Sequence, residues 1–277
     1  MRLRARSIAL VCATLLAAFG GGARAAAAPL PEIAFLCGGP PGFGRLCFVN
    51  PDGTGFKSIL ASVGVFGAPT WSPDGTRIAF VALAGPPIAA GDSIYMFTTD
   101  PPQLDELIRS PPNCDGLRLL SLDWSPDGGK LVFNAAHGCN TLESHLFVMD
   151  ATPGAAPVEL TQKPAFDPAW SPDGATILFR NLEHDLFAIS PSGGAATLLA
   201  RRAAFPAWSP DGTQIAFHRS GAGIFVMDDT GANVTQLTFS AFDFHPTWAP
   251  DGSGSRSPAF SVARPAASAS SRTIDPA

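Results

Sequence analysis

Carboxylates are the side chains of this sequence most open to a chemical reading. Five aspartates recur in one local setting, Ser-Pro-Asp-Gly or Ala-Pro-Asp-Gly: Asp74, Asp127, Asp173, Asp211 and Asp251. A ring of carboxylates could hold cations. An Asp in this setting also has an ordinary task, bonding its own turn, and that reading is adopted. A second set lies just ahead of the tryptophans that open these motifs: Asp123, Asp167, Asp243 and His245. Gathered at one place, they would suit a hard cation such as Ca²⁺ or the cationic tip of a ligand. The corresponding places elsewhere carry Pro69 and Phe205, so the competing reading is ordinary solvated loop residues. No other metal or cofactor is expected.

Catalytic signatures are missing. There is no Gly-x-Ser-x-Gly elbow, no His-Glu-x-x-His, no paired Cys-x-x-Cys and no phosphate-binding glycine loop. His137, His184 and His218 are scattered and read as surface residues, with His184-Asp185 on a face opposite or outer to the channel mouth. One Tyr and five His are little material for a catalytic cluster. Asn233-Val-Thr235 matches a glycosylation acceptor, a pattern common by chance.

The first 28 residues read as a secretory signal peptide. Arg2, Arg4 and Arg6 precede an apolar run from Ile8 to Phe19, and Ala23-Arg24-Ala25 fits a cleavage site. The run is shorter than the roughly 20 residues of a spanning helix. The mature protein is thus expected in the periplasm or outside the cell, with no membrane span. Cleavage removes four of 18 basic residues and none of 23 acidic ones, leaving a net charge of −9. That disfavours nucleic acid and anionic membranes as partners. Four cysteines remain, Cys37, Cys47, Cys114 and Cys139, an even number suited to disulfides in an exported chain. Cys37 and Cys47 flank a Gly/Pro-rich loop and fit a hairpin bridge, and Cys114–Cys139 follows by elimination. Three connectivities stay open, as do free buried thiols.

These residues are carried by a repeat. Trp71, Trp124, Trp170, Trp208 and Trp248 are the only tryptophans, and each opens a copy of Trp-Ser/Ala-Pro-Asp-Gly, at spacings of 53, 46, 38 and 40 residues. Ser-Pro-Asp-Gly is a type I turn with Gly free to take positive φ, which makes the motif a hairpin between strands a and b. Apolar runs follow as strand b (Arg77–Phe80, Lys130–Phe133, 176–179, Gln214–Phe217) and strand c (Ile94–Phe97, Leu146–Asp150, Leu186–Ile189, Ile224–Asp228), then a short strand d. Strands b and c are apolar on both faces, so each four-stranded unit must be sandwiched between others. The expected fold is all-β: a β-propeller over residues 29–252, with residues 253–277 a degenerate or disordered tail. Ile33–Cys37 begins the chain's first unit at strand b. The strand ending at Trp248 is expected to supply its missing strand a and close a ring of five blades. Six blades, truncated, is the alternative count.

Trp-Ser-Pro-Asp-Gly followed by Ile-Ala-Phe, then Ile-Phe-Val-Met-Asp and Leu-Thr, resembles the PD40, or TolB-like (WD40-like), propeller repeat over residues 33–252. The resemblance implies an exported, non-catalytic scaffold with a protein partner in the cell envelope or outside the cell, and a monomer. In the Tol–Pal system the partner is a peptidoglycan-associated lipoprotein. Related repeats gate prolyl-oligopeptidase-type peptidases, but no hydrolase domain is expected after this propeller, nor an extra domain before residue 33. The alternative function is a channel-site hydrolase or lyase acting on peptide or polysaccharide.

Overall fold

The computed structural model describes residues 33–38, 44–59, 64–83, 92–109, 121–136 and 143–248. Among them there are only strands and turns, and no helix long and apolar enough to cross a membrane. The first sheet has three strands, β1 (Ile33–Cys37), β2 (Arg45–Val49) and β3 (Lys57–Ile59). Four antiparallel sheets of four strands follow. The second is β4 (Gly64–Trp71), β5 (Arg77–Leu83), β6 (Asp92–Thr99) and β7 (Pro102–Arg109). The third is β8 (Leu122–Trp124), β9 (Lys130–Ala136), β10 (Ser144–Asp150) and β11 (Val158–Glu159). The fourth is β12 (Phe166–Trp170), β13 (Ile177–Arg180), β14 (Leu186–Ile189) and β15 (Thr197–Ala200). The fifth is β16 (Ala204–Trp208), β17 (Gln214–Arg219), β18 (Gly223–Asp228) and β19 (Thr235–Gln236). Trp71, Trp124, Trp170 and Trp208 each end the first strand of a four-stranded sheet, and the apolar runs are its second and third strands.

The motif shapes the hairpin through its own polar atoms. In all four described copies the Ser Oγ donates to the Asp Oδ1 at 2.6 Å. The Asp Oδ1 also accepts the N–H two residues on, at 2.9 to 3.1 Å. The same Ser Oγ accepts the first N–H of strand b, as from Thr176 at 2.9 Å. These donors hold Asp74, Asp127, Asp173 and Asp211 below the usual carboxylate range. The turn glycine takes φ between 68° and 75°, a conformation that side chains with Cβ resist.

Packing alternates with the pleat. In the second, third and fourth sheets one face meets the sheet before and the other the sheet after. Leu131, Phe133 and Met149 pack back on Ala79, Val81, Ile94 and Met96, while Val132, Leu146 and Val148 pack forward on Ile177, Phe179 and Ile189. A stacked aromatic pair bridges strands b and c of every four-stranded sheet: Phe80–Tyr95, Phe133–Phe147, Phe179–Phe187 and Phe217–Phe225, at 5.6 to 5.9 Å. Two of the tryptophans staple neighbouring sheets by hydrogen bonds, while Trp170 Nε1 donates to the Gly174 carbonyl of its own turn. Trp124 Nε1 donates to the Thr70 carbonyl at 3.1 Å, and Trp248 Nε1 to the Ala207 carbonyl at 3.0 Å. Arg77 reaches the Gly128 carbonyl and lies over the Trp124 ring.

The first sheet begins at strand b as the sequence implies. The disulfide joins Cys37 to Cys47 between β1 and β2, with Cα atoms 5.8 Å apart. Trp248 docks on the fifth sheet, and the described strands of the first sheet are β1, β2 and β3. Residues 1–28 and 253–277, Asp251, Cys114 and Cys139 lie outside the described residues.

Ser171 is nearly fully buried and serves two strands at once. Ser171→Ala leaves the Thr176 N–H without its acceptor, so urea unfolding should show a loss of about 1–3 kcal/mol. A loss under a few tenths would remove the turn network from the account of stability.

Candidate functional site

Every loop between strands belongs to one of two ends. The a–b and c–d turns share one end. The d–a and b–c connections share the other, as backbone bonds between them show: Ala165 N–H to Ser144 O and Ala203 N–H to His184 O, both 2.6 Å. His184-Asp185 therefore sits at the same end as the d–a loops, correcting the expectation of the opposite face. The reason is the meander itself, in which strand b returns the chain to the end where strand a begins. The Arg202 N–H also donates to Asp185 Oδ1.

At this end the chain departs from regular strand geometry in a repeated way. Three residues before the tryptophan, Asp167, Phe205 and His245 take φ of 52° to 55°, each just before a proline. Residues with side chains rarely adopt this conformation. In β12 and β16 it coincides with a register shift against strand b, between Phe166 and Ala169 and between Ala204 and Ala207. Such bulges re-aim side chains. In the third, fourth and fifth sheets the residue three before the tryptophan meets the end of strand b thirteen positions on, Ser121 without positive φ or a register shift. Ser121 donates through N–H and Oγ to Asn134 Oδ1, both at 3.0 Å. Asp167 takes an ion pair from Arg180 Nε at 2.5 Å. Phe205 faces the His218 ring at 6.1 Å. His245 then stacks on Phe205 at 3.8 Å, with Phe244 edge-on to it.

The chemistry of this row thus changes from neutral amide to ion pair to aromatic–imidazole while the spacing of thirteen stays constant. His218 is half-buried, not a plain surface residue. Burial first, then the neighbouring His245 and His184, push its pKa below the ordinary value, and its Nδ1 is enclosed without a hydrogen bond. Arg180 and His218 were missed as site residues, although the spacing of thirteen within each repeat is legible in the sequence.

The four residues Asp123, Asp167, Asp243 and His245 do not converge. They stand one, three, five and three positions before their tryptophans, so they point to different places. Among the described residues no three His, Cys, Asp or Glu gather where a metal ion could sit. Asp243 occupies the buried place held by Ala165 and Ala203 in the other sheets. Asp123 instead joins two sheets: its Oδ1 accepts the Trp124 N–H at 2.9 Å and its Oδ2 the Trp170 N–H of the next sheet at 2.7 Å. It borders a cleft of about 390 Å³ in front of the inner strands β8, β12 and β16.

Residues 43–255 match the TolB beta propeller domain family, PD40. The chain belongs to the TolB β-propeller family. TolB from Acinetobacter baumannii superposes with a TM-score of 0.63 at 22% identity, over 79% of this chain and 55% of that one. Oligogalacturonate lyase from Vibrio parahaemolyticus gives 0.55 at 11%, over 75% and 66%. A puromycin-hydrolyzing peptidase from Mycobacterium tuberculosis gives 0.56 at 16%, over 77% and 39%. At these identities the likeness is one of fold, and the chain spans about half the length of the Acinetobacter protein. No curated protein matches the sequence.

Within this TolB-type propeller Asp123 has a titration that can be read out. Burial raises its pKa from 3.8 to about 6, against the two N–H donors that lower it. Its proton is held more tightly in the folded than the unfolded chain. The stability it adds is therefore full below pH 3.8 and lost as pH rises through about 6. Relative to Asp123→Asn, the wild type should gain about 2 kcal/mol between pH 7.5 and 4.5. Urea midpoints of both proteins across that range test this, and parallel curves would exclude a folded-state pKa near 6.

Proposed function

We propose that this TolB-family propeller is exported and acts as a non-catalytic protein-binding scaffold, receiving its partner at the end formed by the d–a and b–c connections. The observation that carries the reading is the row of residues three positions before the tryptophans, in which Ser121, Asp167, Phe205 and His245 meet different partners at one end of the sheets. Variable chemistry on a fixed scaffold is what a recognition surface requires. Exposed Phe242 and Phe244 extend the row with apolar area. The signal-like N-terminus supports an envelope or extracellular location. The negative charge of the mature chain supports a protein partner over nucleic acid. In this reading the propeller is a monomer of five blades whose ring the strand ending at Trp248 completes on β1. Asp167 and His245 belong to the contact surface, while Asp123 and Asp243 support it from within.

A channel-site hydrolase or lyase is the second reading. The half-buried His218 beside His245 favours it, together with the lyase and peptidase among the similar structures.

An affinity capture from an envelope extract separates them. A partner held by the wild type should be lost at least about tenfold with an Arg180→Ala/Phe205→Ala/His245→Ala variant, with the unfolding midpoint changed little. Equal capture by both proteins, or no reproducible partner, counts against the scaffold. Turnover of pectic oligosaccharides or aminoacyl amides that vanishes with His218→Ala would favour the enzyme.

A further inference from the structure

A groove of about 840 Å³ lies on the outer flank of the molecule, between the third and fourth sheets. Its floor is apolar: the stacked rings of Phe179 and Phe187, with Ile189 and Leu160 beside them. One wall is the run from Glu159 to Pro164 that leads from β11 into β12.

Two local features open it. Strand β11 is only two residues long, whereas β7 in the second sheet has eight, so little covers the flank. Across the groove the fourth sheet presents Gly194 and Ala196, too small to fill the space.

The wall carries one organised charge. His145 is almost fully buried, and its Nδ1–H donates to Glu159 Oε1 at 2.6 Å. That bond fixes the imidazole tautomer and holds the carboxylate at the groove wall. The other carboxylate oxygen needs no part in it. Glu183 lines the opposite rim and Lys163 is the one cation, so the groove is acidic by one charge. A held carboxylate over an aromatic floor is complementary to a cation that follows an apolar group.

We propose that this groove binds an extended peptide segment in which an aromatic or branched aliphatic side chain is followed by lysine or arginine. The apolar side chain sits on Phe179 and Phe187, and the cation pairs with Glu159. The site lies outside the row of re-aimed residues, so it stands or falls apart from the scaffold reading.

The full-length protein with labelled Leu and Ile methyl groups tests this by NMR, titrated with acetyl-Gly-Phe-Lys-Gly-amide. Saturable shifts are expected at Leu160, Leu182 and Ile189. The Phe-Glu counterpart should bind about fivefold more weakly, the scale of one partly exposed ion pair. Glu159→Gln should remove that preference, because its amide still accepts from His145 but carries no charge. Ala196→Trp, at an exposed position, should abolish the shifts with the urea midpoint unchanged. Absence of saturable shifts, equal affinity for the Phe-Lys and Phe-Glu peptides, or shifts untouched by Ala196→Trp would overturn the proposal. None of those outcomes bears on partner capture by Asp167, Phe205 and His245, which do not line the groove.

Discussion

A four-stranded sheet whose middle strands are apolar on both faces cannot stand alone in water. Phe133 and Val132 are neighbours in β9, yet both are almost wholly buried, one against the second sheet and the other against the fourth. A fully buried side chain of this size is worth roughly 1.5–3 kcal/mol, so neither face can be left exposed. The solution is a series of sheets, each covered by the next. Inner strands then lie side by side, every tryptophan reaches a neighbouring sheet or its own turn, and all loops fall at two ends. The architecture of the site follows from that placement before any functional side chain is considered.

The two ends serve different physical tasks. The Ser-Pro-Asp-Gly end is closed upon itself: hydroxyl, carboxylate and amide are satisfied within five residues, and the same bonds recur in each copy. A carboxylate so occupied has little left for a ligand. The other end carries the strain. Asp167, Phe205 and His245 hold a backbone conformation that costs about 1–3 kcal/mol for residues with side chains. There the partners vary, from Asn134 to Arg180 to His218. The repeated bonds thus lie in the turns, and the variation in the opposite loops. The TolB-type fold constrains the first and leaves the second open.

Asp123 shows how the two tasks meet. It stands next to a tryptophan and near a cleft, which gives it the look of a ligand residue. Its two oxygens instead accept the amide protons of two successive inner strands. A carboxylate used as a clamp between sheets gives a pH-dependent stability without any bound ion.

The sequence by itself determined the repeat, the four-strand unit, the position of each turn and the hairpin cysteines, because each rests on local chemistry. Pro and Gly set φ within a few residues, and alternation follows from the pleat. It also held the spacing of thirteen between Asp167 and Arg180 and between Phe205 and His218. Which of these residues face each other was decided only by the tertiary structure. The bulges before Trp170 and Trp208 each re-aim one side chain, and the meander brings the b–c loop of His184 beside the d–a loop of Ala203. The groove of Glu159 is likewise invisible in the sequence, since it is bounded by two sheets and opened by what their edges lack. Contacts within a hairpin are local and legible; contacts between sheets depend on how far one turns past the next, which no single repeat specifies.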